Sequence, residues 1–133
     1  MRYRSGMNAI DVATVLCGGM KAVYANRLRA IQRIDGTSVV TVPQPTLEGG
    51  DISIFVETTD NAIIIHDNGR TAMELESLGI VRRSQVERLA RERGCDYESG
   101  RLQAVVPVGG DLVSPALRLA DAIKTVSDLG LML

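Results

Sequence analysis

DISIFVETTDNAIIIH, residues 51–66, is the stretch that decides how this chain folds. Ile52, Ile54 and Val56 alternate with Asp51, Ser53, Phe55 and Glu57, the two-residue period of a strand buried on one side. Asp60-Asn61 breaks the pattern as a tight turn, and Ala62–His66 resumes it, so the segment reads as an antiparallel hairpin. A two-residue loop there pairs Thr59 with Ala62, Glu57 with Ile64 and Phe55 with His66. Phe55, Ile64 and His66 then share a face with Asp51, Ser53 and Glu57. Two readings of that face stay open. Either the first helix covers it and Phe55 is core, or it is exposed as a mixed acidic and apolar patch, an aromatic anchor ringed by polar groups.

Immediately downstream, the apolar run ends in His66-Asp67-Asn68-Gly69 and restarts with helical spacing. Thr71 and Glu74 stand in the S/T-x-x-E relation of a capping box, which predicts a helix starting at Thr71 or Ala72. Asp, Asn and Gly tolerate the left-handed turns that join a strand to a helix, so these residues read first as structural punctuation. Ser84 and Glu87 repeat the capping box before QVERLARER, which stops at Gly94. Cys95–Ser99 and Arg101–Val106, joined across Ser99-Gly100, read as a further hairpin. Ser114 as cap and Pro115 at the first helical position open a last helix, whose apolar positions 116, 119, 120, 123 and 126 form one stripe.

Upstream, Asp35-Gly36 separates RLRAIQRI from TSVVTVPQP, another hairpin signal, and Pro43 and Pro45 are expected to end its second strand. NAIDVATVLCGGM reads as a short first helix stopped by Gly18-Gly19. Strands and helices are segregated instead of alternating as β-α-β units. The expectation is therefore an α+β domain over residues 7–133, a mainly antiparallel sheet of hairpins packed against three to four helices. Residues 1–6 read as a disordered polar extension, with Met1 and Met7 both eligible as the start.

A chain of 133 residues can bury roughly two thirds of its unfolded surface without a metal or disulfide to staple it. One Phe, three Tyr and no Trp make the core aliphatic and remove the stacking platforms of single-strand nucleic-acid binders. Cys17 and Cys95 lie far apart, with no C-x-x-C spacing and His66 as the sole histidine. We read them as two reduced, partly buried thiols. There is no run of about 18 apolar residues and no signal-like start, so a soluble, cytoplasmic protein without membrane contact is expected. The net charge of −1 hides an asymmetry. Six basic residues against Asp11 make residues 1–33 +5, and eight acids against Arg70 make residues 34–80 −7. That acidity either pairs internally on folding or leaves an acidic face for a basic partner.

Taken together, the Cys17 helix, VTVPQP leading to GGDISIFVE, the HDNGRTAMELESLGI turn and helix, and the last helix LRLADAIKTVSDL resemble a family of small bacterial and phage proteins. It is catalogued as a domain of unknown function, number eighteen twenty-eight, and the resemblance spans the chain from about Met7. The family pattern of Thr-Pro, Asp-Gly-Asp and Thr-Asp-x-Gly becomes Val42-Pro43, Gly49-Gly50-Asp51 and His66-Asp67-Asn68-Gly69. Asp51, Asp67 and Gly69 match, whereas Gly49 and His66 depart. The resemblance implies a setting among mobile elements and defence-related genes, and no reaction.

Catalysis finds little support in the residues. Asp51 and Glu57 share a strand face but lie roughly 20 Å apart at about 3.3 Å per residue, too far for one ion. Glu57-Thr58-Thr59 lacks the lysine of a Glu-x-Lys nuclease strand, neither cysteine has a local base, and CGGMK lacks the spacing of a phosphate loop. No cofactor and no metal site are expected. The expectation is a non-catalytic protein-interaction module of phage or mobile-element type, inhibiting a nucleic-acid-handling defence complex through an acidic face. Its candidate binding residues are Glu48, Asp51, Phe55, Glu57, Asp60, His66 and Asp67. A protein partner is expected, not nucleic acid as a direct ligand, and homo-oligomerisation is left open. The alternative is a metal-dependent nuclease or phosphodiesterase using Asp51 and Asp67.

Overall fold

The computed structural model describes residues 8–24, 29–32, 37–45, 51–80, 82–107 and 109–132. The hairpin at its centre has the register its sequence implies. β3 (Asp51–Thr58) pairs antiparallel with β4 (Ala62–His66), setting Phe55 opposite His66 and Glu57 opposite Ile64, and the Thr59 amide donates to the Ala62 carbonyl at 2.8 Å. β1 (Arg29–Gln32) and β2 (Ser38–Pro45) form the upstream hairpin. β5 (Asp96–Glu98) and β6 (Arg101–Pro107) form the downstream one, across a turn in which Ser99 and Gly100 have φ of 53° and 79°. Successive positive φ angles give a turn twist that matches the right-handed twist of the strands it joins. The result is one six-stranded antiparallel sheet of order β1-β2-β3-β4-β6-β5.

Four helices complete an α+β fold: α1 (Ala9–Tyr24), α2 (Arg70–Ser77), α3 (Arg83–Glu92) and α4 (Val113–Ser127), with a closing 3-10 turn over Asp128–Met132. All four contribute to one core on one side of the sheet. Leu16 and Met20 of α1, Leu75 of α2, Val86 and Ala90 of α3, and Leu119 and Ile123 of α4 pack with Val40, Ile52, Ile54, Ile63, Ile65 and Leu102. Each such aliphatic side chain is worth about 1.5–3 kcal/mol when withdrawn from water. Burying one face of every strand and one stripe of every helix therefore selects this layered arrangement. No helix among the described residues is long and apolar enough to cross a membrane.

Several boundaries differ from those the sequence suggested. α1 does not stop at Gly18-Gly19 but continues to Tyr24, because Met20, one turn beyond Leu16, is fully buried. Its burial outweighs a glycine cost of about 1 kcal/mol per residue. β2 carries both prolines: pairing with β3 shifts register between Val42 and Pro45, an irregularity that accommodates a residue without an N–H. None of the helices α2, α3 and α4 takes its cap from the Ser or Thr assigned to that role. α2 begins at Arg70 after Gly69, and α3 begins at Arg83, where Glu87 is drawn to Arg83 at 3.1 Å and Arg91 at 3.7 Å. α4 begins at Val113, and the Asp111 carboxylate accepts the amides of Val113 at 3.3 Å and Ser114 at 3.2 Å. Residues 1–6, the Asp35-Gly36 turn and Glu48 lie outside the described residues.

Candidate functional site

The side of the sheet away from the helices carries the candidate site. Strand registers place Ile31, Val39, Phe55, His66, Gln103 and Asp96 in one row across all six strands. The next row holds Glu57, Ile64 and Val105. Val105 and Ile31 are 53% and 51% exposed, yet Phe55 and His66 are only 1% exposed although they stand apart from the helical core. Their rings stack at a centroid distance of 5.6 Å with 13° between planes.

Two arginines flank this pair. The Arg70 guanidinium sits 5.1 Å above the Phe55 ring, where the electron-rich ring face attracts a cation. Arg101 donates from Nε to Gln103 Oε1 at 3.1 Å and reaches Glu57 Oε1 at 3.5 Å from Nη1. Gln103 in turn donates from Nε2 to Glu98 Oε2 at 3.0 Å. A polar chain thus runs from Glu98 on β5 through Gln103 and Arg101 on β6 to Glu57 on β3.

His66 is hydrogen-bonded at one nitrogen and faces a carboxylate with the other. Nδ1 accepts the Asn68 amide at 2.9 Å, so it carries no proton, and Nε2 lies 3.1 Å from Glu57 Oε1 without the alignment of a hydrogen bond. Burial and the Arg101 charge lower the imidazole pKa below its ordinary 6.5, against the opposing pull of Glu57 and Asp67. The neighbouring Asp67 is 2% exposed and spends its carboxylate on backbone amides. Oδ1 accepts from Gly69 at 2.9 Å and from Leu102 at 3.0 Å, and Oδ2 accepts from Thr71 at 3.2 Å. The capping oxygen of this turn is therefore Asp67's, and Asn68 and Gly69 take the left-handed φ of 59° and 73° that the short connection needs.

Of the seven residues singled out in the sequence, Phe55, Glu57 and His66 come together. Asp51 is exposed at the other end of β3, Asp60 is exposed in the β3–β4 turn, and Asp67 is turned inward to the backbone. Among the described residues, part of the acidic segment is consumed by Arg101 and by amides. Asp51 still shares the open face with Glu57, Asp96 and Glu98, against Arg29, Arg70 and Arg101 among the described residues. Sequence reasoning missed Arg70, Arg101, Gln103 and Glu98. The Ser99-Gly100 hairpin signal was enough to align Glu98 with Arg101, but not to place either beside Glu57.

Cys17 and Cys95 are both free and buried, and burial pushes the Cys95 thiol up to about 11, far from a reactive thiolate. A concavity of about 220 Å³ between α2, α3 and the β5–β6 turn is lined by Leu75, Ile80, Val86, Tyr97 and two arginines, of which Arg83 is drawn to Glu87. Among the described residues, no three His, Cys, Asp or Glu side chains gather as metal ligands. No family model, no curated protein and no solved structure matches the chain.

Proposed function

We propose that this chain is a non-catalytic protein-interaction module that docks through the open face of its sheet. The observation that carries this reading is the row Ile31, Val39, Phe55 and His66, with Val105 beside it, on the face of the sheet opposite the helical core. Exposed branched residues around an ordered aromatic pair, rimmed by fixed charges, are the composition of a docking surface. The acids Asp51, Glu57, Asp96 and Glu98 outnumber the arginines on that face, which favours a partner with a basic surface. Proteins that handle nucleic acid present such surfaces. Together with the resemblance to mobile-element proteins, this makes inhibition of a defence complex the role we assign. The phosphodiesterase reading is disfavoured, because Asp67 has given its oxygens to three amides and Asp51 sits at the far end of β3.

A photo-crosslinking side chain placed at Val105, and in a second variant at Leu78 on the exposed side of the helical layer, tests the surface in cells of the native host. The reading requires a discrete adduct from position 105 that weakens at high salt, and none from position 78. Equal yields from both positions, or an adduct from 78 alone, would move the docking surface off the sheet.

A further inference from the structure

We propose that protonation of the single histidine, His66, unlocks the turn between β4 and α2 and so rearranges the open face in mildly acidic solution. The reason is stereochemical. Neutral His66 offers the Nδ1 lone pair to the Asn68 amide at 2.9 Å, and an imidazolium has no such lone pair, so two N–H groups would then face each other. Asn68 and Gly69 both hold left-handed φ, and for Asn68 that conformation needs local hydrogen bonding to persist. On one side of the ring, Glu57 of β3 would gain a full ion pair from the new charge, drawing the ring away from Asn68. The Arg101 guanidinium of β6, already at Glu57, competes for the same oxygen and opposes that charge. Asp67 in the turn favours it, Glu98 of β5 acts only through Gln103, and Arg70 of α2 bears on the ring through Phe55.

The turn is the point at which this local change becomes a change of surface. Arg70 is the first residue of α2, and its guanidinium lies over Phe55, which in turn stacks on His66. Loosening Asn68 and Gly69 frees the helix start, shifts Arg70 and exposes the aromatic pair. Gly69 lets go of Asp67, which still holds Thr71 and Leu102, so the strand end stays attached and the response remains local. The consequence for partner binding rests on the docking reading of this face; the behaviour of the turn does not.

Because the chain has one histidine, nuclear magnetic resonance resolves the ring without ambiguity. The ring nitrogens and the Asn68 and Gly69 amides are followed from about pH 7.5 to 4.5, with hydrogen-exchange protection corrected for intrinsic rates. The expected result is a ring midpoint below the ordinary 6.5, with Asn68 and Gly69 shifting at the same midpoint and losing protection about tenfold or more. In His66→Asn the side-chain oxygen retains an acceptor for the Asn68 amide and does not titrate, so both responses should vanish. Protection at Asn68 that survives protonation of the ring overturns the proposal. So does a loss that persists unchanged in His66→Asn, which would assign it to a group other than the imidazole. Should that variant fail to fold, coincidence of the ring and Asn68 midpoints in the natural chain decides alone. An intact pH response with no crosslink at position 105 would sink the docking reading and leave this one standing.

Discussion

The Asp67 carboxylate accepts the backbone amide of Leu102, thirty-five residues further along the chain, at 3.0 Å. Together with its bonds to Gly69 and Thr71, this one side chain fastens the end of β4, the start of α2 and the start of β6. Asp67→Ala leaves three amides unpaired in a buried place, and charged hydrogen bonds of this kind are worth about 1.5–3 kcal/mol each before relaxation. Urea unfolding should show a net loss of about 2–4 kcal/mol. Thr71→Ala should cost about 1 kcal/mol, since Thr71 is buried but its hydroxyl does not cap the helix. Equal losses for the two variants would return the cap to Thr71.

Gly18 separates two accounts of the first helix. Because α1 runs through it and a Cβ there meets nothing within 4 Å, Gly18→Ala should raise stability by about 0.5–1 kcal/mol. A helix that ended at Gly18 would show no gain. Gly69→Ala should act oppositely and cost about 1 kcal/mol, since φ is +73° and the new Cβ would lie 3.4 Å from the Gly100 carbonyl oxygen. Thermal melts of the two variants give the pair of signs.

Stability should fall in two separate steps on acidification. His66 has a folded pKa below 6.5, so the unfolded chain binds the proton first, and stability declines from about pH 6.5 down to the folded value, below which this contribution is spent. Asp111 acts in the same sense over a lower range. Hydrogen bonds from Ser114 and Val113 hold its carboxyl at about 2 against an ordinary 3.8, so the stability it adds is present above 3.8 and lost as pH falls towards 2. Urea midpoints at half-unit pH intervals should show the upper step vanish in His66→Asn and the lower one shrink in Asp111→Ala. A single step near pH 4 in the natural chain would contradict the assignment to His66.

Charge changes on the open face should divide by environment. Val105→Lys, at an exposed strand position, should shift stability by about 0.5 kcal/mol at most while abolishing partner crosslinking from a neighbouring probe. Asp60→Lys, in the exposed turn, should be equally mild. Glu57→Lys places a third basic group against Arg101 and His66 and removes the partner of both, so a cost of about 1–3 kcal/mol is expected. If Glu57→Lys melts like the natural chain, the polar chain across β3 and β6 contributes nothing.

Local patterns in the sequence determined the hairpins. Strict alternation from Asp51 to Glu57 and the Asp60-Asn61 turn were sufficient to pair Phe55 with His66, because strand period and loop length together leave one register. The stripe of α4 was legible for the same reason, since burial at positions 116, 119, 120, 123 and 126 follows the helical repeat. Tertiary structure alone decided what no local period encodes. It extended α1 through Gly18-Gly19 to bury Met20, and it brought β6 beside β4, setting Arg101 within reach of Glu57 and Leu102 within reach of Asp67. Contacts between residues so distant in sequence depend on how all the apolar faces are covered at once. The capping residues and the guanidinium over Phe55 could be identified only when the sheet was assembled.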